Sequence, residues 1–446
     1  MIGKTPTEHQ MTIFETALES FIDMNHELVL LARRIDWSEV EREFSKYYCK
    51  DNGRPSVPAR KMVGLMYLKN LYNLSDEGVV ARWLENPYMQ YFTGEKVFQK
   101  RPPIDPADFA KFRKRIGPEG AEILFRISLC VNAEELTEKE MERVLIDSTV
   151  QEKNITYPTD AKLLRKIVDK VLKIAETEDI TLRRTYTREM KALKLKVRFM
   201  NHPKRRKEGE KAVRRMRTIA GAMVRDLDRK LNDWQRFMYG DNINLWIRVI
   251  NQKRSDKDKI YSLHEPEVSC IAKGKQGKKY EFGSKASLAI TRNSAIIIGV
   301  ANFQGNPYDG DTLKKTIENI HFNLGKAPAG IYADRGYRGR EYVETTQVFI
   351  PQPPKKDDTP AEKKKARKNF GRRSAIEPVI SHVKHDHRLC RNYLKGEAGD
   401  AINLYLAAAG FNLRKWMGAF PHIFILLFFR FYGFRFIPER TTSRFL

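Results

Sequence analysis

Three acidic residues, Asp147, Asp334 and Glu377, occupy positions from which they could act together chemically. The segment VLIDST predicts a buried strand with Asp147 at its end, and AGIYADRGY predicts another with Asp334 at its end. Glu377 lies on the helix predicted after the last strand. Neighbouring strands can bring the two aspartates together, and the helix can cross them. Because converging carboxylates repel one another, we interpret this set as a metal site.

The chemistry that such a site performs is phosphodiester cleavage and strand transfer. A few carboxylates suffice for Mg²⁺, which prefers oxygen ligands and keeps several waters. Two such ions, about 3.5–4 Å apart, activate the attacking oxygen and stabilise the leaving oxygen. The chain has 56 acidic residues, so any one of them is weak evidence. Their matched placement at strand and helix positions carries the prediction.

The residues around Glu377 supply a further pattern. Phe370, Arg373 and Lys384 lie at i−7, i−4 and i+7 from it, which places all of them on one helical face. That face suits a metal ligand flanked by phosphate contacts. The alternative is a surface Arg–Glu pair of little energetic value. Pro378 follows Glu377 directly, so the helix is expected to start or kink there.

The elements that must position these residues form a mixed α/β arrangement. After an N-terminal helical region (1–135, DNA-binding or dimerisation) the order is strand, strand, strand, helix, strand, short helix, strand, helix. We assign the catalytic core to 140–158 and 258–415. A basic insertion of two or three long helices (159–257) interrupts it, and a hydrophobic and basic tail (416–446) follows.

The charge of the chain favours a polyanionic partner. Lys and Arg total 82 against 56 Asp and Glu, a net charge of +26, and such a surplus is typical of nucleic-acid binding. Basic residues dominate both sides of the helix predicted from HPKRRKEGEKAVRRMR in the insertion. The DNA contacts that we predict there are Lys204, Arg205, Arg206, Arg214 and Arg215.

Cysteine usage and the termini indicate a cytoplasmic protein. The four cysteines lie far apart and form no CxxC pair, which argues against a disulfide framework and against a zinc ribbon. The N-terminal residues lack the pattern of a signal peptide. The apolar stretch 423–436 is interrupted by arginines and is too short to span a bilayer.

Several segments resemble one known family. LIDST, YADRGYRG and FGRRSAIEPVISHVKHDHRL are similar to the three acidic motifs of bacterial insertion-sequence DDE transposases, in the group of IS-four and IS-five types. That group carries a Tyr–Arg–Glu–Lys signature, whose spacing is matched by Phe370, Arg373, Glu377 and Lys384. Phe370 replaces the tyrosine and lacks its hydroxyl. GRPSVPARKMVGLMYLKNLYNLSDEGVVARW and RNYLKGEAGDAINLYLAAAGFNLRKW also resemble the group.

The resemblance implies an RNase H-like fold and two Mg²⁺ (or Mn²⁺) ions in each active site. Asp147 would bridge the ions, while Asp334 and Glu377 would each complete one site. The implied reaction is hydrolysis at the transposon end, followed by attack of the freed 3′-OH on target DNA. The basic insertion would grip double-stranded end DNA or a second protomer, and at least a dimer is expected on DNA. The implied phosphate contacts and nearby candidates are Arg373, Lys384, Arg335, His382 and His385.

Three other interpretations stay open on sequence alone. One is a metal-dependent nuclease or resolvase with the same core and no strand transfer. Another is a domesticated, inactive DNA-binding protein, although a pure binder has no need of three convergent carboxylates. The third, a ribosomal or RNA-binding protein, is disfavoured because no RNA-binding module signature is present.

Overall fold

The computed structural model describes residues 16–49, 55–272, 279–351 and 358–431. The chain divides into two compact units. The first contains the described parts of Met1–Thr149, Ala286–Asn302 and Tyr308–Leu446. The second contains those of Val150–Lys285 and Phe303–Pro307. The first unit therefore holds residues of both the predicted N-terminal region and the predicted core, and the second holds the predicted insertion. The functional division of the chain stays a prediction.

The chain begins with helices, as the sequence predicts. They are α1 (Glu27–Arg34), α2 (Trp37–Ser45), α3 (Ala59–Leu71), α4 (Asp76–Glu85), α5 (Pro87–Phe92), α6 (Asp108–Val131) and α7 (Glu138–Glu142). The Ser75 side chain caps α4, and Pro87 begins α5. The sequence predicts that a helix starting after Pro106 ends at Gly117, and this end is observed, because Gly117 adopts φ 61° and ψ −168° and interrupts α6. A second helical segment that the sequence did not separate follows from Pro118 to Val131.

The N-terminal helices share a core with the last helix that the structure describes, α15 (Gly396–Phe431), which packs on α3 and α6. Leu65, Trp83, Phe109 and Leu413 are fully buried in that core. Each such side chain contributes about 1.5–3 kcal/mol of hydrophobic stabilisation. Among the residues that the structure describes, none of the helices combines the length and apolarity needed to cross a membrane.

A mixed sheet lies in the predicted core, so the α/β prediction is confirmed. Its strands are β1 (Arg143–Glu152), β2 (Ser269–Ala272), β3 (Tyr280–Ile290), β4 (Ile297–Phe303), β5 (Gly330–Tyr332), β6 (Tyr342–Val343) and β7 (Thr346–Phe349). Within the first unit the order is β4–β3–β1–β5–β7–β6. β5 is parallel to both β1 and β7, and β6 is antiparallel to β7. In the second unit β2 pairs antiparallel with the first residues of β3.

Helices α12 (Asp309–Leu324), α13 (Pro360–Gly371) and α14 (Ile376–Asp386) contribute to the sheet region of the first unit. Val144, Ile146, Leu288 and Ile376 are fully buried in its core. The turn predicted between the second and third strands of the core joins β3 to β4. The predicted end of α12 at Gly325 is also observed, with φ 75°.

Two predictions in the segment 355–389 are wrong. The sequence KKDDTPAEKKKARKN predicts a Lys-rich loop over 355–369, but residues from Pro360 onward form α13; residues 355–357 lie outside the described part of the chain. Thr359 and Glu362 make a reciprocal cap, and Ala, Lys and Arg then favour helix. The helix predicted from Phe370 to Leu389 is divided, because a 3-10 turn, Arg372–Ala375, separates α13 from α14.

The second unit contains four helices where the sequence predicted two or three. They are α8 (Asp160–Thr177), α9 (Thr187–Arg198), α10 (Arg206–Lys230) and α11 (Asp233–Asn251). Leu164, Met216 and Trp246 are fully buried between them. The missed break is between α10 and α11. It lacks glycine and proline, and Asn232 caps α11 by a capping box with Gln235.

Candidate active site

Strand register brings the first two predicted acids to matched positions. β1 and β5 run parallel, and Leu145 lies opposite Tyr332, the last residue of β5. Asp147 and Asp334 each lie two residues beyond that pair, at one edge of adjacent strands. Asp147 does not end its strand as predicted. β1 continues to Glu152 because the β-branched and buried residues that follow the acid extend it.

A further acid, Asp309, joins this edge of the sheet. It is the first residue of α12, and its Oδ1 accepts a hydrogen bond of 2.7 Å from Ser148 Oγ. Asp334 Oδ1 accepts one of 2.7 Å from the Gly336 N–H. A Cβ atom on Gly336 would lie 2.9 Å from Asp334 Oδ1 and 3.1 Å from Asp309 Oδ2. Gly336 therefore permits the close approach of the two carboxylates.

The convergence of these acids changes the protonation of Asp147. Burial, with the charges of Asp334 and Asp309, raises the pKa of Asp147 to about 6, while the Ser148 N–H and the Arg373 guanidinium act in the opposite direction. Arg373 Nη1 lies 3.8 Å from Asp147 Oδ2, and both side chains are only about one-fifth exposed (19% and 20%). The edge therefore carries more negative charge than Arg373 neutralises.

Tyr337 lies beneath this group of acids. Its side chain is fully buried, and burial together with the charges of Asp147, Asp309 and Asp334 raises its pKa well above the usual value. Its hydroxyl, beside that of Thr312, makes no hydrogen bond of normal geometry to the described residues. The hydroxyl stays protonated and is a buried donor next to the carboxylates.

Glu377 connects to this edge through Arg373. Its side chain is 61% exposed, and its Oε1 accepts a hydrogen bond of 3.1 Å from Arg373 Nη2. Helix α14 begins at Ile376, which agrees with the helix start expected next to Pro378, and Arg373 lies in the preceding 3-10 turn. The predicted proximity of the two side chains is observed. Pro378 falls in the first turn of α14, where its missing N–H is tolerated.

Two properties bear on whether these acids can hold a metal ion: the spacing of their side chains and the type of their donor atoms. Among the described residues, no group of three or more His, Cys, Asp or Glu side chains has the spacing of a metal-ligand set. The donors themselves fit a hard divalent cation, since they are carboxylate oxygens. Burial in the first place, and the charges of Asp334 and Asp309 in the second, raise the pKa of Asp147. Asp147 and Asp334 are brought together, and Glu377 is bound to Arg373.

The remaining residues of the predicted signature lie nearby in sequence with different surroundings. Lys384 is half-buried two turns after Glu377 in α14, and Arg335 is exposed directly after Asp334. Phe370 packs edge-on against the Tyr332 ring, with centroids 6.0 Å apart. An apolar ring thus suits this position, in agreement with assigning Phe370 no polar role.

The two candidate histidines have no place among the acids. His382 Nδ1 lies 2.7 Å from Asp386 Oδ2 on the exposed side of α14. The His385 side chain is exposed, and its carbonyl accepts a hydrogen bond from Asn73. His382 is a partner of Asp386 within one helix.

A residue that the sequence did not single out, Arg372, holds the 3-10 turn in position. Its Nε and Nη2 donate to the carbonyl oxygens of Arg292 and Asn293, at 3.0 and 3.2 Å, in the turn between β3 and β4. The Glu140 carboxylate accepts a hydrogen bond of 2.8 Å from the Asn293 N–H. The position of Arg373 therefore depends on a strand turn about 80 residues earlier.

The basic residues predicted to contact DNA in the insertion face several directions. Lys204 and Arg205 lie in a short 3-10 turn. Arg206 pairs with Glu210 at 3.1 Å, and Arg215 with Glu189 at 2.7 Å. Arg214 is exposed. None of these observations tests the predicted contacts, which stay predictions.

Comparison with known proteins shows which families the chain resembles. The family described as "Transposase domain (DUF772)" matches residues 16–115, and the family described as "Transposase DDE domain" matches residues 253–413. A Rhizobium meliloti protein described as "Uncharacterized protein ORF8 in nfe locus" is 39% identical over 199 residues, which are 44% of this chain and 96% of that protein. No solved structure matches. The chain belongs to the DDE-type insertion-sequence transposases.

Proposed function

We propose that the chain cuts the ends of a DNA element and joins each freed 3′-OH to target DNA, using Asp147, Asp334 and Glu377 as ligands of two divalent ions. The observation that carries the proposal is the parallel pairing of β1 and β5, since Asp147 within β1 and Asp334 after the end of β5 each lie two residues beyond the pair Leu145–Tyr332. The raised pKa of Asp147 supports it, because a site rich in uncompensated carboxylates suits a hard cation.

Bound Mg²⁺ or Mn²⁺ would supply an activated water or 3′-OH and charge stabilisation of the leaving oxygen. The protein's own residues hold and orient the acids. Arg373 contacts both Asp147 and Glu377, so it fixes their relative position and can contact a neighbouring phosphate. We propose Lys384 and Arg335 as further phosphate contacts. Asp309 acts as a positioning residue through Ser148.

We propose an RNase H-like core for this site. The order β4–β3–β1–β5–β7 supports it, since the first strand of the core lies centrally and beside the strand that bears the second acid. Membership of the IS-four and IS-five types rests on the spacing of Phe370, Arg373, Glu377 and Lys384. We also propose that at least two copies act together on double-stranded DNA in the bacterial cytoplasm, because two element ends must be joined.

The test is Mg²⁺-dependent cleavage and joining on a genomic fragment that spans the chain's own gene and its flanks. We expect the wild type to cut at the element ends and to form joined products. Asp147→Ala and Glu377→Asn should bind the fragment and do neither. Asp311→Asn is the matched control. Asp311 lies on the same helix as Asp309, and its side chain pairs with Arg340 at 2.6 Å. Cleavage without joining would indicate a nuclease, and binding alone an inactive DNA-binding protein.

A further inference from the structure

The second unit contains an open groove of about 1310 Å³ between α8, α9 and α10. Eight basic and two acidic side chains line it. This charge balance is more one-sided than that of the whole chain, in which 82 basic residues face 56 acidic ones. The groove is therefore a local concentration of positive charge.

One wall of the groove is a basic stripe along α9. Lys191, Lys194 and Arg198 recur at i, i+3 and i+7, which places them on one helical face. All three side chains are exposed, and no acid of the described chain forms an ion pair with them. Leu195, 61% exposed, lies within the same face. The stripe thus presents an apolar surface and three cations without an acidic partner among the described residues. The Arg198 guanidinium lies over the Phe199 ring, 5.9 Å from its centroid.

The arginines of the opposite wall, on α10, differ in their position and in their acidic partners. Arg214 lines the groove and has no ion-pair partner in the described part of the chain, whereas the neighbouring Arg215 points elsewhere and pairs with Glu189. Arg217 lines the groove and is held by Asp160, with Nη2 to Oδ2 at 3.2 Å. Among the described residues, the α10 wall of the groove therefore carries one arginine without an ion-pair partner, Arg214, and one that an acid holds, Arg217.

The layout of these cations identifies the chemistry of the ligand. From Lys191 to Arg198 the stripe extends for about 10 Å, at a rise of 1.5 Å per residue. One DNA strand advances 3.4 Å per nucleotide along its axis, so the stripe covers about three phosphates. A small anion would need donors that converge on one point. Cations spread along a line fit a chain of phosphodiesters instead.

We propose that this groove binds the sugar–phosphate backbone of duplex DNA without reading its sequence. The side chains that carry the binding are Lys191, Lys194, Arg198 and Arg214. Leu195 lies where it can contact a deoxyribose. The inference rests on the proposed function only in taking DNA as the ligand, and it is independent of which acids perform catalysis.

The test measures binding of the full chain to a fluorescently labelled duplex of random sequence, by anisotropy. The groove variant carries Lys191→Gln, Lys194→Gln and Arg198→Gln. The matched control carries Lys170→Gln, Lys173→Gln and Lys207→Gln, three exposed cations outside the groove. Both variants lose the same charge, so long-range attraction falls equally.

Between about 50 and 200 mM salt, we expect the slope of log K against log salt to fall by about 0.9 for each lost phosphate contact. The groove variant should lose about two to three units of slope, and its Kd at the lower salt should rise more than tenfold. The control should keep the wild-type slope. Equal slopes for the two variants would overturn the inference.

Folding and catalysis are separated from this result by two further measurements. Circular dichroism should show wild-type helix content in both variants; if the triple change unfolds the second unit, Arg214→Gln alone must reduce the slope by about one. Asp147→Asn should bind the random duplex with the wild-type slope. If the wild type does not cleave DNA, the proposed function is refuted and the groove result still stands. If the groove variants keep the wild-type salt slope, only the proposal of DNA binding in the groove is refuted.

Discussion

The acidic edge of the first unit and the basic groove of the second unit both collect like charges, but they hold them differently. Asp147 is mostly buried, and its neighbour Asp309 is fixed by a hydrogen bond from Ser148. Lys191 and Lys194 extend into solvent, which screens their mutual repulsion. Concentrating charge therefore destabilises the folded first unit, whereas it costs the second unit little.

This difference matches the ligands that we propose for the two regions. A metal ion requires oxygen atoms at fixed positions, and strand register together with helix termini supplies fixed positions. A DNA backbone requires only positive charge along a line, which the repeat of a single helix supplies. Variants of the acidic edge should therefore change cleavage, and variants of the basic groove should change DNA binding.

The largest effect is expected from Asp334→Asn. Loss of one metal ligand should reduce cleavage by more than the roughly 10–100-fold that follows loss of an outer-shell partner. Binding of random duplex DNA should stay within about twofold of the wild type, because no part of the groove is changed. Single-turnover cleavage and anisotropy measure the two quantities. Parallel loss of cleavage and binding would contradict the division of labour between the two regions.

Asp309→Asn should have the next largest effect, a fall in cleavage of roughly 10–100-fold, because Asp309 orients the segment that bears Asp147. The affinity for Mn²⁺, measured by calorimetry, should fall with it. Asp311→Asn is the control on the same helix and should leave both quantities unchanged. If Asp309 and Asp311 variants behave alike, Asp309 does not position the site.

The pKa of Asp147 predicts a pH-dependent stability in the absence of metal. As pH rises from about 4 to about 6, the unfolded chain releases this proton before the folded chain does, so the free energy of unfolding falls; above pH 6 its contribution is constant. Asp147→Asn should remove this fall and stabilise the metal-free protein at pH 7 by on the order of 2 kcal/mol. Denaturant unfolding at several pH values measures the difference. Identical pH profiles for the two proteins would contradict the prediction.

The smallest effect distinguishes two adjacent arginines of α10. Arg214→Gln should weaken binding of random duplex DNA by about threefold or more and lower the salt slope by about one. Arg215→Gln should change the Kd less than twofold, because its guanidinium already pairs with Glu189. Neither should alter unfolding by more than about 1 kcal/mol, since both are exposed. Equal losses in binding would show that net charge, and not the groove, determines affinity.

Much of the candidate site was predictable because its signals are local. An apolar run followed by an acid identified Asp147 and Asp334, and helical spacing related Arg373 to Glu377. Start and stop residues such as Ser75 and Gly325 also act within a few positions of themselves. These features depend on neighbours in the chain, so the residue types alone reveal them.

The errors arose where local signals were weak or conflicted. Asp147 lies within β1 and not at its end, because strand length follows from pairing with neighbouring strands. The division between α13 and α14 has no clear breaker, and contacts of Arg372 with the β3–β4 turn hold it. The break between α10 and α11 spans only two residues, and the capping role of Asn232 was not recognised.

The sequence by itself determined the family resemblance, the basic charge, the mixed α/β class and the position of each principal acid, since composition, motif spacing and short-range periodicity express them. Only the tertiary structure showed that Asp309 joins the acids, that a 3-10 turn separates α13 from α14, and that Arg214 and Arg215 have different surroundings. Ser148 and Asp309 are 161 positions apart. Contacts at such separations depend on how strands pair and helices pack, and no local pattern of residues encodes them.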